Sequence, residues 1–176
     1  LKADEANQIA DTLDSLVDDG KIGQYGWVTD LSTDVQHWAD RSHFGAVQHE
    51  FSVLAPASEL RDICTKQSLI SICRAPFAMG LLSHQINHAN SFGDADSLPE
   101  HLAHYLQGDD PQARLAKIHD LLRTDGRTIA QGALGWIWAT DKNALPIPGF
   151  RTSDHVKENA KALEFGPLPN DVVKEL

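Results

Sequence analysis

Residues 147–159, which read IPGFRTSDHVKEN, join a predicted strand to a predicted helix. The short apolar run 144–147 is typical of a buried strand, and the Pro148–Gly149 pair predicts a turn. A helical pattern follows over residues 153–163, with Asp154 in its first turn, where a negative charge stabilises a helix. The stretch therefore predicts a strand, a tight turn and a helix in that order.

The same order of elements occurs three more times upstream. The predicted pairs are strand 22–28 with helix 33–41, strand 46–51 with helix 59–66, and strand 69–73 with helix 128–139. Ser58 is the predicted N-cap of its helix, and a further helix over 4–19 comes first and ends at Gly20. The long connection 76–126 carries weaker helical patterns at 98–106 and 111–122, and connections of this length are usually lids or binding loops.

Strands that alternate with helices predict a parallel sheet, because parallel neighbours need a connection of helical length. The fold class is therefore α/β, and two architectures are open: a doubly wound sheet, or part of an eight-stranded barrel. No GxGxxG follows a strand and no GxxxxGK[ST] occurs. The absence of these nucleotide motifs weakens the doubly wound alternative.

Composition limits the class of protein. With 176 residues and 41% hydrophobic residues the chain predicts one domain, and a formal charge of -10 argues against a nucleic-acid partner, which selects for Lys and Arg. Cys64 and Cys73 have no CxxC spacing, so we expect a reducing, cytoplasmic setting. No apolar run reaches the length of a membrane span, so no membrane partner is expected.

The stretch 147–159 resembles the signature of the aldo-keto reductase family at its last strand and helix. Further stretches match the family in the same order: DGKI at 19–22 leading to YGWVTD at 25–30, VQHEFS at 47–52, APFAMGLL at 75–82, and AQGALGW at 130–136. Together they cover nearly the whole chain. The resemblance implies a (β/α)8 barrel of the TIM-barrel type, an oxidoreductase that binds NADPH (NADP) across the carboxyl ends of its strands.

By this resemblance the four strands are the fifth to eighth of the barrel. Residues 1–176 would then be the C-terminal half of the domain, about four βα units preceded by one helix. The implied reaction of the complete barrel is reduction of an aldehyde or ketone to an alcohol by direct hydride transfer, with a small carbonyl compound as substrate.

The resemblance also implies the cofactor contacts. Thr29, Asp30 and Gln48 match the positions that hold the nicotinamide carboxamide, and Phe51 matches a ring that stacks on the nicotinamide. The matches to the pyrophosphate turn are Pro76, Phe77, Ala78, Gly80 and Leu82. The matches near the 2′-phosphate and adenine are Gly149, Arg151, Thr152, His155, Glu158 and Asn159.

No catalytic residue is carried over. The family uses a Tyr assisted by Lys, Asp and His from the early strands, and neither Tyr25 nor Tyr105 lies in a matching context. We therefore expect the chain alone, a truncated fragment of the barrel, to be inactive. A noncatalytic nicotinamide-nucleotide-binding or regulatory subunit is the alternative, and an unrelated open-sheet protein is a weaker one.

Half a barrel would leave two unpaired strand edges and an uncovered apolar face. The missing cover is expected from an N-terminal half in the same polypeptide, from a separate polypeptide, or from a second copy of the chain. The chain lacks an initiating Met and enters a helix at once, and this favours the first of the three.

Several single residues have plain structural interpretations. An isolated loop Arg such as Arg151 is most often a surface charge, but the PGFRT context favours a phosphate contact. The histidine pairs His84/His88 and His101/His104 have no Cys or Glu partner at a diagnostic spacing, so no metal site is predicted. The remaining assignments are to packing: Trp136 and Trp138 in the core, and Gly132 and Gly135 at a close helix contact.

Overall fold

A computed structural model describes residues 3–83, 102, 104–105, 108 and 110–176. Its helices there are α1 (Ala3–Asp18), α2 (Ser32–Trp38), α3 (Ser58–Gln67), α4 (Pro111–Leu122), α5 (Ile129–Thr140), α6 (Ser153–Phe165) and α7 (Asn170–Glu175). Its strands are β1 (Tyr25–Val28), β2 (Phe44–Glu50), β3 (Ile70–Arg74) and β4 (Ala144–Pro146). The predicted alternation of strands and helices is confirmed, and α7 is an element that the sequence pattern does not predict.

The four strands form one parallel sheet in the order β1-β2-β3-β4. Val28 is in register with Gln48, Gln48 with Ile72, and Ile72 with Leu145. Strands that are consecutive in sequence are therefore neighbours in space, as in a barrel. Within the residues that the structure describes the sheet stays open, with one edge at β1 and the other at β4.

Helices cover one face of this sheet. Under α1, α2 and α3 the core includes Val35, Trp38 and Val47, all nearly or fully buried. A second cluster lies under α4, α5 and α7 and includes Leu122 and Ile137, which are fully buried. These clusters hold the helices to the sheet because they remove large apolar side chains from water.

The other face of the sheet is apolar along its strands, and none of the described residues covers it. Along β3, buried Ser71 and Cys73 alternate with the more exposed Ile70 and Ile72, as the pleat requires. Three further side chains with large exposed fractions continue this face: Val28 at 64%, Leu145 at 53% and Ile147 at 44%. The chain thus has the exposed inner face of an unclosed half barrel.

Helix α5 is the most deeply buried of the helices that the structure describes. A capping box starts it: Thr128 Oγ1 accepts from the Gln131 N–H at 3.2 Å, and Gln131 Oε1 accepts from the Thr128 N–H at 3.0 Å. Trp136 is buried as predicted, whereas Trp138 is half-buried. A Cβ atom at Gly132 would lie 2.0 Å from the Leu122 carbonyl oxygen, so the predicted close helix contact is confirmed there.

The start of α3 differs from the prediction. Ser58 is the first residue of the helix and not its N-cap; Ala57 holds that position with a left-handed backbone (φ 44°) and no side-chain cap. The pattern at 111–122 is confirmed as α4, whereas most of the predicted helix 98–106 lies outside the described residues, as do His84, His88 and His101. None of the helices that the structure describes is long and apolar enough to cross a membrane.

Candidate cofactor site

A cavity of about 500 Å³ opens between the turn after β3 and the loop that joins β4 to α6. Its lining residues are Ala75, Pro76, Phe77, Met79, Gly80, Ser83, Ala130, Ile147, Gly149, Phe150, Arg151, His155, Glu158 and Asn159. Two predicted stretches some 70 residues apart therefore meet in one place. Eight predicted site residues line the cavity: Pro76, Phe77, Gly80, Gly149, Arg151, His155, Glu158 and Asn159.

The loop between β4 and α6 is tied to the first two turns of α6. Thr152 Oγ1 accepts from the His155 N–H at 3.3 Å and caps the helix. His155 Nδ1 accepts from the Arg151 N–H at 3.3 Å, and Asn159 Nδ2 donates to the Gly149 carbonyl oxygen at 3.5 Å. These bonds fix the loop against the positive end of the helix at the edge of the cavity.

The charges at this end suit an anion. Arg151 is exposed and lines the cavity, and His155 lines it from the first turn of the helix. Because the Nδ1 atom of His155 accepts a backbone N–H, its proton in the neutral ring lies on Nε2, which is then a donor. Asp154 is exposed and paired with Lys157 at 3.4 Å. A guanidinium, an imidazole donor and a helix N-terminus together form a set that can bind a phosphate group.

The turn after β3 fits the predicted phosphate cradle only in part. Gly80 has φ 102°, a backbone conformation that favours glycine, and it lines the cavity. Ala78 and Leu82, which are also predicted in this turn, have fully buried side chains and are not among the residues that line the cavity. Their N–H groups donate to the carbonyl oxygens of Ala75 and Phe77, so the turn uses them internally.

The three polar residues predicted at the nicotinamide end lie together at the carboxyl ends of β1 and β2. The Thr29 N–H donates to the Gln48 carbonyl oxygen at 3.0 Å. Thr29 Oγ1 donates to Asp34 at 2.7 Å, and Asp30 Oδ1 accepts from the Glu50 N–H at 2.7 Å. In barrel enzymes this end of the strands carries the active site.

The Phe51 prediction is contradicted by the structure. The Phe51 ring is fully buried in the core on the helix side of the sheet. Its centroid lies 5.4 Å from the centroid of the Trp136 ring and 5.1 Å from the Arg61 guanidinium carbon. The reason is strand alternation: Gln48 and Phe51 are three residues apart, so the two side chains take opposite faces. The sequence carries this signal, since an odd spacing separates the two positions.

A further polar group, not predicted from the sequence, lies at the same strand ends. Arg74, the last residue of β3, forms an ion pair with Asp30, and the Tyr105 hydroxyl donates to Glu50. Burial raises the pKa of Tyr105, and its hydrogen bond to the Glu50 carboxylate raises it further. A tyrosine held in this way keeps its proton. Arg74 could have been found from the pairing of the two strands, because it is in register with Glu50 at the end of the neighbouring strand.

The family model for the aldo/keto reductase family matches residues 3–176 of the chain. The chain belongs to this family. The aldo-keto reductase yakc [NADP(+)] of Schizosaccharomyces pombe is 25% identical over 175 residues, which cover 96% of this chain and 51% of that protein. The family resemblance predicted from the sequence is thereby confirmed.

Solved aldo-keto reductases have the same fold. The holo form of AKR11C1 from Bacillus halodurans superimposes with a TM-score of 0.71 at 24% identity, covering 93% of this chain and 52% of that one. AKR2E5 complexed with NADPH gives 0.63 at 18% identity, covering 92% and 43%. This chain of the aldo/keto reductase family therefore spans about half the length of the relatives that it matches, which confirms the half-barrel prediction.

Proposed function

We propose that this chain is the C-terminal, cofactor-binding half of an NADP-dependent aldo/keto reductase that reduces aldehydes or ketones to alcohols. The observation that carries the proposal is the cavity between the turn after β3 and the start of α6, which brings eight predicted cofactor contacts together. The yakc relative, whose name gives NADP(+), supports the choice of cofactor.

The described residues fit such a cofactor at two places. Arg151, His155 and the start of α6 would hold the 2′-phosphate at the cavity. Thr29, Asp30 and Gln48 would hold the nicotinamide carboxamide at the strand ends. Bound NADPH supplies the hydride for the reduction, and the protein supplies binding and orientation. A 2′-phosphate on Arg151 also gives a reason to prefer NADPH over NADH.

The proposal also requires a second half of the barrel. Within the part of the chain that the structure describes, the face with Val28, Ile70 and Leu145 is uncovered and both sheet edges are open. Such a face is too apolar to stay in water without cost. We propose that four further βα units from an N-terminal half cover this face. That half would also bring the Tyr, Lys, Asp and His that the family uses, so the isolated chain binds cofactor without reducing a carbonyl compound.

The test is a calorimetric titration of the purified 176-residue chain with NADPH and, in parallel, with NADH. NADPH is expected to bind more tightly, and Arg151→Ala is expected to lower its affinity about tenfold or more, because the variant loses a charge-assisted hydrogen bond. Lys157→Ala is the matched control: it removes one positive charge from the first turns of the adjoining helix α6, at a residue outside the cavity lining.

Equal affinity for NADPH and NADH, or no effect of Arg151→Ala, would contradict the phosphate assignment. Oxidation of NADPH by the isolated chain with an aldehyde substrate would contradict the proposed division of the barrel. Binding without turnover also fits a noncatalytic nucleotide-binding subunit. Early strands with Asp, Tyr, Lys and His encoded upstream of residue 1 would decide for the reductase.

A further inference from the structure

Arg74 lies in one row with Asp30 and Glu50 at the carboxyl ends of three neighbouring strands. Glu50 and Arg74 are in register across β2 and β3. Val28 is in register with Gln48, so Asp30, two residues after Val28, extends the row that contains Glu50. By strand alternation these three side chains belong to the uncovered face of the sheet, directly beyond the row of Val28, Gln48 and Ile72.

Asp30 is held through both of its carboxylate oxygens. Oδ1 accepts from the Glu50 backbone N–H at 2.7 Å, and Oδ2 pairs with a guanidinium nitrogen of Arg74. The Asp30 side chain is 51% exposed and that of Arg74 is 37% exposed. A carboxylate accepts about four hydrogen bonds and a guanidinium donates about five, so both groups keep capacity for a ligand.

The Glu50 side chain takes no part in the ion pair between Asp30 and Arg74. Its side-chain oxygen Oε1 accepts from the hydroxyl of Tyr105, a residue that is almost fully buried. Among the residues that the structure describes, the ion pair of Arg74 is therefore with Asp30 and not with Glu50. The result is an acceptor and a donor fixed next to each other and open to solvent.

A primary carboxamide is the complement of such a pair, because its NH2 donates and its carbonyl oxygen accepts. Asp30 as a carboxylate only accepts, and Arg74 only donates. Resting on the proposed function, we propose that Arg74 is a further cofactor contact: Asp30 accepts from the carboxamide nitrogen of the nicotinamide, and Arg74 donates to its oxygen. Arg74 also positions Asp30 for this bond through their ion pair.

The first test compares ligands with and without the nicotinamide. Calorimetric titrations of the 176-residue chain use NADP+ and 2′-phospho-ADP-ribose, which keeps the phosphates and adenine but lacks the carboxamide. Arg74→Ala is expected to lower the affinity for NADP+ about five- to tenfold, since a solvent-exposed charged hydrogen bond is lost. The affinity for 2′-phospho-ADP-ribose is expected to stay within about twofold, which also shows that the variant is folded.

Two further variants sharpen this comparison. Arg123→Ala removes an equally charged side chain from an exposed ion pair with Asp120 at the end of α4 and should leave both affinities unchanged. Arg74→Lys keeps the charge and one donor but loses the planar fork, so its loss of NADP+ affinity is expected to be smaller than that of the Ala variant.

The second test separates the two carboxamide atoms. The acetylpyridine analogue of NADP+ keeps the carbonyl oxygen but carries a methyl group in place of the NH2. Asp30→Ala should weaken NADP+ clearly more than this analogue, whereas Arg74→Ala should weaken both ligands to a similar extent.

Three outcomes overturn the proposal. If Arg74→Ala weakens NADP+ and 2′-phospho-ADP-ribose equally, Arg74 supports the fold and is not a carboxamide contact. If 2′-phospho-ADP-ribose binds and Arg74→Ala leaves NADP+ unchanged, the Arg74 assignment fails while the proposed function stands. If neither ligand binds the unaltered chain, both proposals fail together.

Discussion

Gly132 of α5 lies directly against Leu122 of α4, and replacing it with Ala tests the packing of the fold. The added Cβ would lie 2.0 Å from the carbonyl oxygen of Leu122 and 2.7 Å from its carbonyl carbon. Ordinary van der Waals contact begins at 3.4 Å, and the obstacle is backbone and not the end of a flexible side chain. The two helices must therefore separate by more than an ångström, about 1.4 Å, and this disturbs the buried cluster around Leu122.

Two opposing effects set the magnitude. Overpacking costs about 1–3 kcal/mol, and a clash with backbone lies at the upper end of that range. Ala in a helix interior is better than Gly by about 1 kcal/mol. The net loss in the free energy of unfolding is then about 2 kcal/mol, which corresponds to a fall in Tm of about 4–8 °C for a chain of this size.

Gly135→Ala is the matched control in the same helix. Its Cβ would come 3.1 Å from the carbonyl oxygen of Gly166 and 3.4 Å from the backbone nitrogen of Leu168, so the neighbours must move only a few tenths of an ångström. The gain in helix propensity is the same, and we expect a Tm close to that of the unaltered chain. Thermal unfolding followed by far-ultraviolet circular dichroism measures both. A Gly132→Ala variant as stable as Gly135→Ala would refute the reasoning.

The remaining predictions concern titratable groups. Burial raises the pKa of Tyr25 to about 12, and its hydrogen bond to Asp14 adds to the effect. The pKa of an unfolded tyrosine is near 10. Because the folded pKa is higher, Tyr25 contributes stability that is present below about pH 10 and is lost as the pH rises toward 12. In urea unfolding midpoints measured against pH, Tyr25→Phe should show a smaller decline over this range. Burial likewise raises the pKa of the Cys64 thiol to about 11 and of the Cys73 thiol to about 12. Both thiols should resist a disulfide reagent at pH 8 in the native chain and react in denaturant, and fast modification of the native chain would count against this.

The order of elements follows from the sequence because strand and helix patterns depend on neighbouring residues. What the pattern misses depends on contacts between distant ones. Helix α7 has only six residues, too few for a helix that is stable by itself, and its Val172 packs with Leu168 in the larger core cluster. Ser58 resembles an N-cap in sequence, but Ala57 takes that position with a left-handed backbone that local preferences do not predict.

The two parts of the candidate site also differ in whether local sequence predicts them. The residues around Arg151 form a contiguous stretch, and hydrogen bonds within that stretch fix them at the cavity, so a local motif is enough to find them. Arg74 and Asp30 are 44 residues apart, and only the register of the strands brings them together. The Phe51 error has the opposite origin, since the alternation that places its ring in the core is local and readable from its distance to Gln48.

The two ends of the proposed cofactor site therefore differ in what this chain can contribute alone. The phosphate end is a cavity whose walls come from the chain itself, fixed by its own hydrogen bonds. The nicotinamide end lies on the uncovered sheet face, where water competes with Asp30 and Arg74 for the carboxamide. A hydrogen bond contributes more once water is excluded, so covering this face should strengthen the nicotinamide contacts more than the phosphate contacts. The ratio of the NADP+ affinity to that of 2′-phospho-ADP-ribose should accordingly be smaller for this chain than for a complete aldo/keto reductase barrel.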